Sequence, residues 1–151
     1  MAITTAIASS YKSELLGGTH AAADVYKIAL LKAGHTGSYS TATTNVGTPG
    51  TGSPTTANLG TDEVAGTGYT SGGATLTGFS VTGINTARLD WTSPTWPSST
   101  ISAVGALVYN SSKANRVVAC FDFGGTVTST NGTFTATMPA VGDATSLVRI
   151  S

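Results

Sequence analysis

The sequence predicts an all-β domain, either an antiparallel β-sandwich or a jelly-roll-like barrel, with one short N-terminal helix and a long Gly/Thr-rich loop. The 151 residues include 28 Thr, 17 Ser and 19 Gly, a composition typical of pleated strands joined by tight turns. About seven short strand-like segments recur at a spacing of about 8 to 12 residues, and proline is confined to the loops between them. A chain of this length fits one domain, so residues 1–151 are expected to form a single domain.

Charged residues make up only 9% of this chain, against about 25% in a typical soluble domain. Seven basic and seven acidic side chains cancel to a net charge of zero. A neutral chain lacks the positive patch that holds nucleic acid or an anionic membrane, so we expect neither partner. The surface is expected to consist of hydroxyl groups and backbone instead.

Neither a targeting segment nor a membrane span is predicted. Residues 1–7 lack the basic start and the long apolar stretch of a signal peptide. The longest apolar run, residues 103–109, is broken by Gly105 and is far shorter than the roughly 18 residues that a spanning helix needs. The single cysteine, Cys120, lies in another apolar run and is predicted to be a small buried residue without a disulfide partner.

A short helix is predicted near the N terminus. Ser9 or Ser10 can cap its first turn, and Tyr11 and Leu15 fall on one face. Gly17 and Gly18 follow the helix, and glycine readily adopts the left-handed backbone conformation that often ends a helix.

The next predicted element is a strand around residues 26–31. Tyr26, Ile28 and Leu30 alternate with residues that are only partly polar, so both faces of this strand are expected to be covered.

Residues 34–61 show no hydrophobic periodicity. They carry only three large apolar side chains, which are scattered along the segment: Tyr39, Val46 and Leu59. So long a structureless segment is unusual in a compact domain, and it is either a disordered insertion or an arm ordered by a partner. The second interpretation is favoured, because three apolar side chains cannot offset the entropy of ordering the segment on its own domain. The three are therefore candidate interface residues.

The remaining strands are separated by turn residues. Two nearly continuous apolar runs, at 102–109 and 117–123, are predicted to form a central hairpin with its loop at 110–115. A second hairpin is predicted from 126–138, because Asn131-Gly132 is a strong turn signal. Other strands are expected at 74–81, where Gly78 marks a possible bulge, at 87–91 and at 144–150.

The sequence contains no recognisable catalytic constellation. His20 and His35 are the two histidines, and neither has a metal-ligand spacing or a nucleophile elbow nearby. His20 is expected to bond carbonyls at the helix end, and His35 to be solvated. No enzyme activity, metal or cofactor is predicted.

Two further features have competing interpretations. Asp90 and Asp122 fall within predicted strands, where they form either a glycosidase-like pair or, as we favour, strand residues that face solvent or pair with Arg88 or Arg116. The Gly-rich segment 66–73 lacks the spacing of a phosphate loop and is interpreted as a turn.

Trp91 and Trp96 lie in a Pro-containing segment. They either stack on a sugar or, as we favour, pack in the core or at an interface. Both are candidate interface residues.

Several motifs together resemble, in chain order, a group of small proteins of tailed bacteriophages, the capsid decoration or cement proteins. The resemblance covers about four-fifths of the chain and is weakest over residues 34–61. Its motifs are Glu14-Leu15-Leu16-Gly17-Gly18-Thr19-His20, Tyr26-Lys27-Ile28-Ala29-Leu30, Glu63-Val64-Ala65-Gly66-Thr67-Gly68-Tyr69-Thr70, Gly72-Gly73-Ala74-Thr75-Leu76, Gly105-Ala106-Leu107-Val108-Tyr109-Asn110-Ser111-Ser112-Lys113-Ala114-Asn115-Arg116 and Phe121-Asp122-Phe123-Gly124.

The resemblance implies a virion protein on the capsid exterior, soluble in the host cytoplasm before assembly, that binds neighbouring subunits of the major capsid protein. It also implies a homo-oligomer, most often a trimer. The alternative function is a carbohydrate- or receptor-binding module of a phage tail or surface structure, which the tryptophan segment would serve. A small hydrolase is a third, weaker alternative.

Overall fold

The computed structural model describes residues 1–140 and 146–150. Within them the chain folds into two antiparallel sheets, one α-helix and two short 3-10 helices at Gly60–Asp62 and Ser111–Lys113. The other elements, in chain order, are β1 (Ala6–Ile7), α1 (Ser9–Leu16), β2 (Tyr26–Leu31), β3 (Ala74–Thr75), β4 (Ser80–Thr82), β5 (Ala87–Asp90), β6 (Thr95–Asn110), β7 (Arg116–Thr135) and β8 (Val148–Ile150).

The larger sheet has five strands in the order β1-β7-β6-β2-β3, and each neighbouring pair is antiparallel. Its centre is the pair of long strands β6 and β7, with 16 and 20 residues. The 3-10 helix Ser111–Lys113 joins them, and the Asn110 side chain accepts a hydrogen bond from the Ser112 N–H (3.0 Å). The predicted central hairpin is confirmed.

The centre of this sheet is buried on both faces. Consecutive residues Leu107 and Val108 on β6 are both fully buried, as are Val117 and Val118 on β7. Neighbouring residues of a strand point to opposite faces, so two separate layers must cover the sheet. Burial along β2 follows the same pattern, which confirms that this strand is covered on both sides.

The smaller sheet, in the order β4-β5-β8, forms one of these layers. The layers meet at Tyr26 of β2, whose ring lies 5.7 Å from Phe79 and 5.1 Å from Trp91. Phe79 precedes β4 and Trp91 follows β5, so an aromatic cluster joins the two sheets. The sandwich-like all-β fold predicted from the sequence is confirmed.

Gly78 marks the point where the chain leaves one sheet for the other. The single strand predicted at 74–81 is in fact two, because β3 pairs with β2 and β4 pairs with β5. Gly78 has a φ of +70°, and a Cβ there would lie 2.2 Å from Thr92 Oγ1. Only glycine fits this crossing, which replaces the expected bulge.

The N-terminal helix forms as predicted but is capped differently. Ala8 is its N-cap residue, and no side chain bonds the first-turn amides, so the expected serine cap is wrong. Tyr11 is the buried residue of the helix. At its end the Gly17 N–H donates to the Ser13 carbonyl (3.0 Å), and Gly18 takes a left-handed φ of +70°.

The second hairpin predicted at 126–138 is wrong. β7 runs without interruption from Arg116 to Thr135 and pairs with β6 past Asn131. Asn131 has the left-handed φ of 49° that a turn would need, but here it accompanies a shift of register between Ser99 and Ile101 of β6. A bulge and a tight turn use the same backbone conformation, so the residue types alone cannot distinguish them.

Residues 34–61 form the layer over the other face of the large sheet. The segment leaves the end of β2, bonds β7 through Val117 N–H to the Thr44 carbonyl (3.0 Å), and returns to β2 where Val64 N–H donates to the Leu30 carbonyl (2.9 Å). Since β6 lies between β2 and β7, the segment must cross the sheet. Tyr39, Val46 and Leu59 are each at most 1% exposed. The segment therefore packs on its own domain.

Asp62 holds this layer in place and explains why the entropy argument from the sequence was wrong. Its buried carboxylate accepts hydrogen bonds from Thr36 N–H (2.9 Å), Gly37 N–H (2.7 Å) and the Tyr39 hydroxyl (2.7 Å). Burial opposes ionisation, but these donors outweigh it and hold the pKa of Asp62 below its ordinary value. The segment is held by the apolar side chains of Tyr39, Val46 and Leu59 together with the ionised carboxylate of Asp62. Hydrophobic periodicity in the sequence does not detect such a carboxylate.

The same layer covers the single cysteine. The Cys120 thiol is fully buried and donates to the Ser40 carbonyl at 3.4 Å. Burial raises the pKa of the thiol to about 11. Cys120 is thus a buried core residue, as predicted.

The last predicted strand is confirmed over part of its length. β8 covers Val148–Ile150 and pairs with β5, whereas positions 144 and 145 of the prediction lie outside the described residues.

We expect Asp62→Asn to destabilise the fold by about 1 to 3 kcal/mol, because it removes the charge and turns one acceptor into a donor facing buried N–H groups. Urea unfolding measures the change. Asp122→Asn is the matched control, because Asp122 is exposed and its carboxylate accepts from Gly124 N–H (2.9 Å), a bond that an amide oxygen can keep. Equal stability of the two variants would contradict the anchoring role of Asp62.

Stability is also expected to depend on pH through Asp62. Its folded pKa lies below its unfolded pKa, which is close to 4 for an aspartate. The stabilisation is therefore fully present above about pH 4 and is lost as the pH falls through the folded pKa. Urea unfolding of the parent and Asp62→Asn from pH 7 to pH 2 should show the stability difference shrinking at the acid end. A difference that stays constant with pH would exclude ionised Asp62 as the cause.

Candidate docking face

An exposed apolar surface lies between α1 and the smaller sheet. Leu15, Leu16, Val81 and Ile150 form it around the buried Val148, and these five residues are called here the apolar face. Leu16 is 91% exposed, Val81 62% and Ile150 54%. Isolated exposed apolar residues are common, but a group of them around shared grooves is typical of a surface that binds another molecule.

The register of the smaller sheet explains why these side chains meet. Val81 lies opposite Leu89, and Leu89 lies opposite Val148, so the three form one row across the sheet. Ala87 and Ile150 form the next row on the same face. Register partners share a face, so this side of the sheet is apolar from edge to edge.

Two adjoining grooves run along the apolar face. One has a volume of about 230 Å³, and its floor includes Leu89 and Tyr26. The other, of about 360 Å³, extends past Leu16 toward Ile7. Tyr11, Leu15, Val148 and Ile150 line both grooves, so the two are direct neighbours.

A hydrogen-bonded histidine forms the polar end of the first groove. The Asn110 amide donates to His20 Nδ1 (3.0 Å), and His20 Nε2 donates to Glu14 (2.8 Å). The Tyr11 ring packs on His20 at a centroid distance of 4.6 Å, and burial raises the pKa of Tyr11. Both ring nitrogens are thus occupied, so His20 orients the helix rather than offering a free base. The expected bonds to helix carbonyls are replaced by these side-chain bonds.

The five candidate interface residues from the sequence do not lie on this surface. Tyr39, Val46, Leu59, Trp91 and Trp96 are all between 0% and 5% exposed. In the folded chain each of these side chains instead fills the core of its own domain.

The tryptophans show the reason most clearly. Trp91 packs on Tyr26, while the Trp96 ring lies 5.9 Å from Tyr69 and 5.8 Å from Phe134. Both belong to aromatic clusters inside the sandwich, as the core-packing interpretation expected. The exposed aromatic loop that a sugar-binding function would need is not formed by these two residues.

The other candidates for chemistry are also placed. Asp90 is buried in the smaller sheet and accepts from Leu147 N–H (3.3 Å), whereas Asp122 is exposed on the larger one. Arg116 pairs with Glu14 rather than with Asp122. His35 is half-buried, and both of its ring nitrogens are buried without a hydrogen-bond partner among the described residues, so the expectation that it is solvated is wrong. Among residues 1–140 and 146–150, no group of three or more metal-ligating side chains forms a candidate metal site.

The Gly-rich segment 66–73 is a turn, as predicted, and it holds a buried carboxylate. Gly72 N–H and the Tyr69 hydroxyl donate to Glu63 Oε1 at 2.7 and 2.8 Å, and Ser71 donates to Oε2 at 2.6 Å. Tyr69 also accepts from the Leu30 N–H (3.0 Å). The segment therefore lies against the edge of β2, where Tyr69 bonds Leu30.

Sequence reasoning did not find the apolar face, although one signal for it was present. Leu15 and Leu16 are adjacent on a helix, and consecutive helical residues are separated by about 100° around the axis. With Tyr11 and Leu15 turned toward the core, Leu16 must lie outside it. The contribution of the smaller sheet depends on strand register, which the sequence does not reveal.

Comparison with protein-family models, with curated proteins and with solved structures found no match to this chain. No helix within the described part of the chain is long and apolar enough to cross a membrane. On its own structure, the chain is an all-β sandwich with an apolar face at one side.

Substitutions at Leu16, on the apolar face, and at Leu89, in the groove beside it, distinguish a side chain that is free to bind from one that stabilises the fold. Leu16→Ser is expected to change the free energy of unfolding by no more than about 0.5 kcal/mol, because Leu16 is exposed. Leu89→Ser, in the floor of the groove, should cost about 2 to 5 kcal/mol. Urea unfolding measures both. A large loss in Leu16→Ser would show that this side chain stabilises the monomer and is not free to bind.

Proposed function

We propose that this chain is a structural virion protein that decorates and stabilises a bacteriophage capsid by binding the major capsid protein. The single observation that carries the proposal is the apolar face, with Leu16, Val81 and Ile150 more than half exposed. The capsid as partner comes from the sequence resemblance to decoration proteins. The proposed location is the exterior of the virion.

The architecture supports a binding role because it presents the apolar face rigidly. α1 is fixed at one end by the Glu14–His20–Asn110 bonds, and the smaller sheet is fixed by the aromatic cluster around Tyr26. A preformed surface loses little conformational entropy on binding. Such a surface suits permanent attachment to a large assembly.

The charge of the chain supports the same mode of binding. With a net charge of zero and 9% charged residues, long-range steering contributes little, and burial of apolar groups supplies the free energy. Self-association is part of the proposal, and the trimeric number rests on the resemblance alone.

The proposal predicts that purified protein binds heads of the phage that carries this sequence, and that Leu16→Glu with Val81→Glu weakens binding at least tenfold. Two carboxylates would have to be desolvated in an apolar contact. Co-sedimentation with heads measures binding. Ala57→Glu, at an exposed position in the 34–61 layer, controls for added negative charge and should bind like the parent.

Salt and copy number complete this test. Binding should change little between low and molar salt, since exposed ion pairs contribute only about 0 to 1 kcal/mol each. Mass spectrometry of purified virions should find the protein in hundreds of copies, as expected for a decoration protein. A handful of copies would instead favour a tail component, and release of the protein by salt would contradict apolar binding.

A further inference from the structure

One edge of the larger sheet is open along the outer half of β7. β1 pairs with β7 at Ala119 and Cys120, and Asp122 N–H donates to the Thr5 hydroxyl (3.0 Å). Beyond this point, from Val127 to Thr133, every hydrogen bond made by β7 within the described residues goes to β6. Among the described residues, the outward N–H and C=O groups of this stretch have no partner.

The side chains of this edge carry none of the usual chemical protection against pairing. Natural proteins guard open edges with charged residues, especially lysine, or with proline. Between Asp122 and Asp143 the chain has no charged residue, and from 123 to 135 it has no proline. Register shifts on both sides limit the regular edge to residues 127–130, of which Val127, Thr128 and Ser129 pair in register with Ala103, Ser102 and Ile101 of β6.

The side chains of the edge suit a strand of the same composition. Thr126, Thr128 and Thr130 alternate along one face and are exposed. On the other face Val127 is 43% exposed and borders a groove of about 390 Å³ lined by Phe121, Phe123, Phe134 and Met138. Threonine pairs and β-branched apolar pairs are favourable across antiparallel strands.

We propose that the β7 edge at Val127–Thr130 binds the same edge of a second copy of this chain, so that the two large sheets join into one continuous sheet. A two-fold axis brings identical strands together antiparallel, and the same residues then lie opposite one another. Most edges oppose this arrangement because like charges would meet. Here only hydroxyl and apolar groups meet, so the edge is complementary to itself.

This contact goes beyond the proposed capsid role and does not depend on it. It uses the ribbon formed by β6 and β7, whereas capsid binding is assigned to the apolar face on α1 and the smaller sheet. A two-fold contact produces dimers or multiples of dimers. A trimer would have to form through another surface.

The experiment adds lysines to the edge. Thr128→Lys with Thr130→Lys places four positive charges in the paired strands of a dimer, and the dissociation constant should rise at least tenfold. Ala42→Lys with Ala57→Lys is the matched control, because it adds the same charge at two exposed positions of the 34–61 layer. Sedimentation equilibrium measures association of the parent and both variants, and urea unfolding checks that each is folded.

Amide hydrogen exchange on the parent protein gives a second readout that does not depend on any variant. Amides within residues 126–130 should exchange more slowly as the protein concentration rises through the association range. This concentration-dependent protection tests the edge contact even if the edge variant fails to fold.

The inference is overturned if the parent remains a monomer at high concentration, or if it associates without protecting these amides. An oligomer that persists unchanged in the edge variant also overturns it and points to the apolar face instead. Head binding by the same variants separates the two proposals. An edge variant that is monomeric but still binds heads supports both proposals, whereas a parent protein that forms edge dimers but does not bind heads contradicts only the capsid role.

Discussion

The burial of both faces of the five-stranded sheet is the constraint on which the rest of this structure depends. β6 and β7 carry consecutive apolar residues through the centre, so each face needs a cover. The smaller sheet and α1 cover one face. For the other the chain uses residues 34–61, which have little regular structure, and their backbone groups must be satisfied by specific bonds. Buried Asp62 supplies acceptors for several of them.

The fold could be predicted largely from local patterns. Apolar runs separated by turn residues predicted the central hairpin of β6 and β7, and the alternation at Tyr26–Leu31 predicted a strand covered on both sides. These predictions succeeded because the signals lie within the segments themselves. The Asn131-Gly132 signal failed because a left-handed residue serves a bulge as well as a turn.

The covering layer and the apolar face could not be predicted in the same way. Thr44 bonds Val117, and Asp62 bonds Thr36 and Tyr39, so the order of residues 34–61 comes from partners distant in sequence. The apolar face requires the register of β4, β5 and β8, which brings Val81, Leu89 and Val148 into one row. The sequence made Tyr39 and Trp91 candidate interface residues because it does not show the contacts that these side chains make within their own domain.

The burial of Cys120 has a practical consequence for chemical labelling. With a thiol pKa of about 11, only about one molecule in a thousand would carry the thiolate at pH 8, even if a reagent could reach it. The folded chain therefore has a single thiol, and that thiol is unreactive. A cysteine introduced at any exposed position would be the one that reacts, so fluorophores or spin labels can be attached at chosen points without first removing the native residue.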